Sequence, residues 1–131
     1  MTGLRILGRL VAVVWASPYT VVGLIIGLIG VCCQGRVLWR WPLEFCDGGT
    51  SWFLDRLPGD YVMALTLGHV ILGRTGAALD ISRDHELIHV RQYERWGPFL
   101  GPAYIGCWVW LWLRGKDGYR ENPFEREAYG D

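Results

Sequence analysis

The chain has 131 residues, enough for one hydrophobic core, and 51% of them are hydrophobic, eight being Trp. Thirteen basic residues balance thirteen acidic ones, and no basic stripe with interleaved aromatics is present, which argues against nucleic acid as a partner. Four cysteines without C-x-x-C spacing (Cys32, Cys33, Cys46, Cys107) support neither a cysteine metal site nor a disulfide framework.

Leu10 to Gly35 carries no charged residue, with Arg5 and Arg9 before it and Arg36 and Arg40 after it. A bilayer span needs roughly 20 apolar residues, so residues 1–35 read best as a membrane-embedded segment. Ser17-Pro18 falls inside the run, where a proline interrupts a helix or starts a new one, so the segment is one helix or a helical hairpin. Two other readings stand beside it: a cleaved signal peptide with Arg5 and Arg9 as its basic region, and a buried helix of a soluble fold. Basic residues at both ends leave the orientation open.

Residues 36–131 form the remaining domain. Val37, Leu38, Trp39, Trp41, Leu43 and Phe45 are strand-type residues, Asp47-Gly48-Gly49 is a turn signal, and Ser51-Trp52-Phe53-Leu54 follows it. Pro58-Gly59 marks another turn, and Tyr61 to Leu67 with His69 to Leu72 reads as one strand or a pair broken at Gly68. A small antiparallel sheet is expected. Arg74-Thr75-Gly76 looks like loop, and a helix is expected from about Arg83 to Trp96, capped by Ser82 or Asp84 and ended by Gly97-Pro98.

That helix carries His85-Glu86-Leu87-Ile88-His89. Residues four apart share a helix face, so His85 and His89 can reach one metal ion while Glu86 stands beside them as a general base. Gln92 shares the face. A zinc site of this kind takes a third protein ligand. His69 is the other histidine and reads as a satisfied sheet residue, while Asp80 and Asp84 are too near in sequence to fold back.

Gly97 to Leu113 is again uncharged and ends in Trp108-Val109-Trp110-Leu111-Trp112-Leu113. After a polar stretch, Asn122 is a good N-cap and Pro123 suits the first position of a last short helix. On it, Glu125 and Ala128 share a face, and a small alanine lets this helix approach the motif helix. Glu125 is the favoured third ligand; Glu127 is the alternative, and Asn122 to Glu125 also matches a capping box. Shared metal binding argues that residues 97–113 do not cross a bilayer, because Glu125 would then begin on the far side from His85. The segment is expected to pack on the motif helix and the N-terminal run, or to lie in the interface with its indoles at headgroup level.

H-E-x-x-H followed by Glu125-Arg126-Glu127-Ala128 resembles the gluzincin pattern of zinc metallopeptidases. The surrounding text is similar to small bacterial zincin-like membrane proteins, over roughly residues 80 to 129. The resemblance implies an α+β, minimal zincin-like domain with a Trp-rich helix and a short C-terminal ligand helix. It implies zinc held by His85, His89 and Glu125, and Glu86 as general base in peptide-bond hydrolysis. The expected partners are a peptide or protein substrate, free or membrane-linked, and the lipid bilayer, with the bacterial inner membrane as the location. Tyr129 stands where membrane gluzincins usually carry an acidic residue. An oxyanion donor is needed, and Tyr93, Tyr104, Tyr119, Tyr129, Arg91 and Gln92 are candidates. The alternative function is a zinc-stapled membrane protein without turnover that binds or scaffolds partners.

Overall fold

A computed structural model describes residues 2–57 and 62–130; the Pro58-Gly59 turn lies outside the described residues. The class is α+β: α1 (Gly3–Cys32), β1 (Arg36–Leu38), β2 (Leu43–Cys46), α2 (Gly48–Asp55), β3 (Ala64–Leu67), β4 (Val70–Gly73), α3 (Gly76–Trp96), α4 (Leu100–Leu113) and α5 (Pro123–Tyr129).

α1 is one helix, not a hairpin, although Pro18 lies inside it. Pro18 has no N–H for the Val14 carbonyl, and Ser17 Oγ donates to that carbonyl instead at 2.7 Å. The helix is long and apolar enough to cross a membrane. Its buried residues, Ala16, Gly23, Gly27 and Gly30, form one small-residue stripe, of which Gly23 and Gly27 lie on the sheet and Gly30 on Thr50 of α2.

The sheet has the order β1-β2-β4-β3 and is mixed rather than antiparallel. β1–β2 and β3–β4 are antiparallel, but β2 and β4 run parallel with Phe45 opposite Leu72. The cause is at Asp47-Gly48-Gly49. Asp47 and Gly48 take positive φ (62° and 48°), and the chain turns into α2 instead of a hairpin. Ser51 to Leu54 is therefore helical, and α2 carries the chain away from β2 before β3 begins. The break at Gly68 (φ 63°) makes β3 and β4 a hairpin.

Strand alternation sorts the core into two faces. Phe45, Val70 and Leu72 pack with Leu24 and Ile26 of α1, whereas Cys46 and Ile71 pack with Leu79 and Val90 of α3. α1 and α3 thus cover opposite faces of one thin sheet. Beyond the Gly68 turn they meet directly, where Ala16, Tyr93, Leu100 and Phe124 form a small core of their own.

α3 starts at Gly76, seven residues before the expected Arg83. Thr75 is the cap, its Oγ1 accepting from the Ala78 N–H at 3.0 Å, and Leu79 buries the first turn beneath β4. Ser82 and Asp84 lie inside the helix, and Ser82 Oγ donates back to the Ala78 carbonyl. Glu44, fully buried on β2, ties this half of α3 to the sheet. It accepts from Arg83 at 2.7 Å and from Arg40, which also holds Asp80 at 3.0 Å. His69 is a buried residue of the β3–β4 turn, its Nε2 3.0 Å from Glu94.

Gly97, with φ 56°, ends α3 and leads through a 3-10 turn into α4. The Tyr19 hydroxyl of α1 pins this corner, donating to the Pro98 carbonyl and accepting from the Gly101 N–H. α4 has 14 residues, about 21 Å of rise against the roughly 30 Å of a hydrocarbon core. Its base is packed and its end is open, with Trp110 and Trp112 exposed. The chain then turns at Gly115 and returns along α4, where Gly118 meets Trp108 and Asn122 Nδ2 donates to the Tyr104 carbonyl. This return places the start of α5 beside the middle of α3.

Candidate metal centre

α5 begins as the sequence expects: Asn122 Oδ1 caps the Phe124 N–H at 3.1 Å and Pro123 opens the helix. Buried Ala128 and Phe124 set α5 against α3 and the α1–α4 corner. One turn separates Phe124 from Ala128, and Glu125 lies on the inner side with them, 4% exposed. Its carboxylate faces the two motif histidines. His89 Nε2 is 2.7 Å from Glu125 Oε1, His85 Nε2 is 3.5 Å from Glu125 Oε2, and the two Nε2 atoms are 3.1 Å apart. The carboxylate does not close a capping box, and the Asn122 N–H donates to the Tyr119 carbonyl instead.

Glu127 points elsewhere. It accepts from Gln92 Nε2 and from Arg95, each at 2.7 Å, and is not in the cluster. Asp80, Asp84 and His69 are also outside it.

The protons of this group can be assigned. Gln92 is 1% exposed, and its amide nitrogen faces two acceptors, the Phe124 carbonyl (2.8 Å) and Glu127. Its Oε1 must then be the atom 2.8 Å from His89 Nδ1, which makes Nδ1 the protonated nitrogen. A neutral His89 therefore aims the Nε2 lone pair at the Glu125 carboxylate and at His85. With the His85 proton on Nδ1 as well, three lone-pair atoms converge with no hydrogen-bond donor among them. Such a set calls for a cation, or for a proton on a histidine.

The group could hold a metal ion: its ligand atoms all lie within 4.8 Å of one another. Tetrahedral ligands at bond lengths of 2.0–2.1 Å would stand about 3.3 Å apart, and the separations of 2.7, 3.1 and 3.5 Å bracket that value. Glu125 Oε2 is buried without a hydrogen-bond partner, as an oxygen reserved for a cation would be. His85 Nδ1 is likewise buried and unpartnered, so His85 is held by packing, between His89 and the Tyr129 ring, 4.2 Å away between centroids.

The electrostatics agree with the geometry. Without a metal, protons on the histidines take the cation's place: burial would raise the Glu125 carboxyl, but the hydrogen bonds and charge of the protonated imidazoles outweigh it and hold the group at about 2. Burial would lower His89, and the facing Glu125 carboxylate outweighs that and raises it. Glu86 is the contrast. Burial pushes its carboxyl up, and the charge of His89 and the hydrogen bond from Thr66 oppose this only in part. The two carboxylates thus have opposite proton affinities.

Glu86 is 5% exposed, and its Oε2 accepts from Thr66 Oγ1 at 2.6 Å. Thr66 is a site residue that sequence reasoning passed over. The available signal was its position between Leu65 and Leu67 on a strand, which turns a lone hydroxyl to the opposite face. The Tyr93 hydroxyl donates to the Thr66 carbonyl and Gln92 is bound on both sides, so neither is free as an oxyanion donor. The Tyr119 and Tyr129 hydroxyls bond one another at 2.8 Å at the exposed rim above His85. Arg91 points to solvent. Tyr104, half-buried and stacked on Phe124, faces the fields of Glu125 and Glu86, both of which raise its phenol after burial does so.

No family model, no curated protein and no solved structure matches the chain.

Proposed function

We propose that the protein is a membrane-associated zinc metallopeptidase in which Glu86 is the general base, acting at a membrane such as the bacterial inner membrane on a peptide or protein substrate. The observation that carries this reading is the meeting of His85, His89 and Glu125 with a buried Glu86 of raised proton affinity beside them. Two histidines and a glutamate fit zinc with one position open. A zinc ion there would supply Lewis acidity and water of pKa about 7.

The chain's own residues have distinct tasks. Gln92 fixes the His89 tautomer so that Nε2 faces the ligand set. Thr66 holds one Glu86 oxygen, leaving the other for the proton taken from water and passed to the leaving amine. Tyr104 and the hydrogen-bonded Tyr119–Tyr129 pair at the rim are the phenols that remain as candidates to meet a carbonyl oxygen.

A second reading has an observation in its favour. Glu86, His89 and Glu125 are all buried, and the set opens to solvent at His85, whose side chain is 16% exposed. A site this closed also suits a metal that staples α3 to α5 in a protein that binds partners without turnover. Purified protein separates the two. With zinc bound at one equivalent, wild type is expected to cleave an unfolded protein substrate, with products read by mass spectrometry. Glu86→Gln is expected to keep the zinc and lose cleavage. Zinc binding without cleavage in wild type would favour the staple.

A further inference from the structure

α1 has an unusual outer face. Ala16, Gly23, Gly27 and Gly30 turn inward, so close to the sheet that a Cβ on Gly23 would meet Val70 and one on Gly27 would run into the Phe45 ring. The opposite stripe is Val21, Val22, Ile25, Leu28 and Ile29, each 48–60% exposed. A helix that covers a sheet in water presents polar residues outward. This one has no charged residue from Leu10 to Gly35. In its first half Leu4, Leu7, Leu10, Val11 and Val14 are exposed as well, and the contact between Trp15 and Phe99 continues the surface to the corner of α4.

Length and apolarity alone would allow α1 to span a bilayer, but its packing does not. From Ala16 to Gly30 the helix is fixed to the rest of the fold, Gly23 and Gly27 on the sheet, Gly30 on Thr50 of α2 and Ala16 against Tyr93 and Leu100, and β1 and β3 are sheet edges whose backbone groups hydrocarbon cannot satisfy. Those strands would have to enter the hydrocarbon with it. The part before the Ala16 contact, Gly3 to Trp15, rises about 20 Å, short of a hydrocarbon core of roughly 30 Å.

We propose that α1 is an in-plane anchor: its outer stripe lies in the acyl–headgroup boundary of one leaflet, and both of its ends stay on the same side of the membrane. The surface fits an anionic leaflet. Arg114 and Lys116 stand beside the exposed tryptophans at the end of α4, with the Arg114 guanidinium over the Trp110 ring, where cations and indoles meet headgroups. The sheet lies between this face and α3, so the His85–His89–Glu125 group sits on the side away from the lipid. The anchor stands independently of any metal or catalytic reading.

The test uses the full chain in sealed right-side-out and inverted membrane vesicles with a membrane-impermeant maleimide. Exposed Cys32 and Cys33 report the C-terminal end of α1. Thr2→Cys, in a background of Cys32→Ser, Cys33→Ser and Cys107→Ser, reports the N-terminal end. Both reporters are expected to react in the same vesicle preparation and be protected in the other; labelling on opposite sides would overturn the proposal. In a second arm, the purified protein floats with vesicles of phosphatidylcholine and phosphatidylglycerol. Ile25→Glu combined with Leu28→Glu is expected to lower the bound fraction at least ~10-fold with unchanged circular dichroism. Unchanged flotation, or a water-soluble dimer that hides the stripe and ignores vesicles, would overturn it. If the double variant does not fold, the labelling arm decides.

Discussion

Gln92→Leu separates the chemistry of the centre from its packing. The substitution keeps the volume and removes an amide that makes three hydrogen bonds, to His89 Nδ1 (2.8 Å), the Phe124 carbonyl (2.8 Å) and Glu127 (2.7 Å). Without Oε1, His89 loses the partner that keeps the proton on Nδ1 and the lone pair on Nε2. Removing such a partner typically weakens metal binding about 10–100-fold, or about 1.4–2.7 kcal/mol. The metal-free fold should also lose stability, because His89 Nδ1 and the Phe124 carbonyl are left unpaired at about 1–3 kcal/mol each. Zinc affinity would be measured by competition with a chromogenic chelator, and stability by thermal unfolding in EDTA. Glu127→Gln is the control. Its side chain is 47% exposed and touches the amide from outside, so affinity should change no more than about 3-fold. Wild-type affinity in Gln92→Leu would refute the assignment of His89 Nε2 as a ligand oriented through its other nitrogen.

Thr66→Val should keep zinc and lower peptide cleavage about 10-fold, as expected for one hydrogen bond of roughly 1–1.5 kcal/mol to the base, and Thr66→Ser should restore most of it. Equal rates in all three proteins would remove Thr66 from the site. Gly27→Ala should cost about 1–3 kcal/mol of stability, because the added methyl has the Phe45 ring in its way. An unchanged melting temperature would show that α1 is not seated on the sheet.

Local signals were readable from residues alone. Asn122-Pro123 announces α5, Gly97 ends α3, and helical spacing turns Glu125 toward the motif and Glu127 away from it. Ambiguities and errors arose where a local signal was answered by a neighbour. Pro18 leaves one helix or a hairpin open, and with the Ser17 hydroxyl taking over the Val14 carbonyl α1 runs on as one helix. Asp47-Gly48-Gly49 reads as a turn within an antiparallel sheet, yet two residues with positive φ redirect the chain into α2, which is why β2 and β4 end up parallel. α3 starts early because Thr75 caps it and Leu79 finds a place beneath β4. The contacts of Thr66 with Glu86 and of Gln92 with Phe124 join residues 20 and 32 positions apart, and periodicity carries no information about such pairs.

The central claim is that His85, His89 and Glu125 hold one metal ion. The most direct measurement is the metal content of purified wild type beside Glu125→Ala and Glu127→Ala, by mass spectrometry of the intact protein and elemental analysis. One equivalent of zinc is expected in wild type and in Glu127→Ala, and little in Glu125→Ala. Equal zinc in all three proteins, or none in wild type purified without chelators, would contradict it.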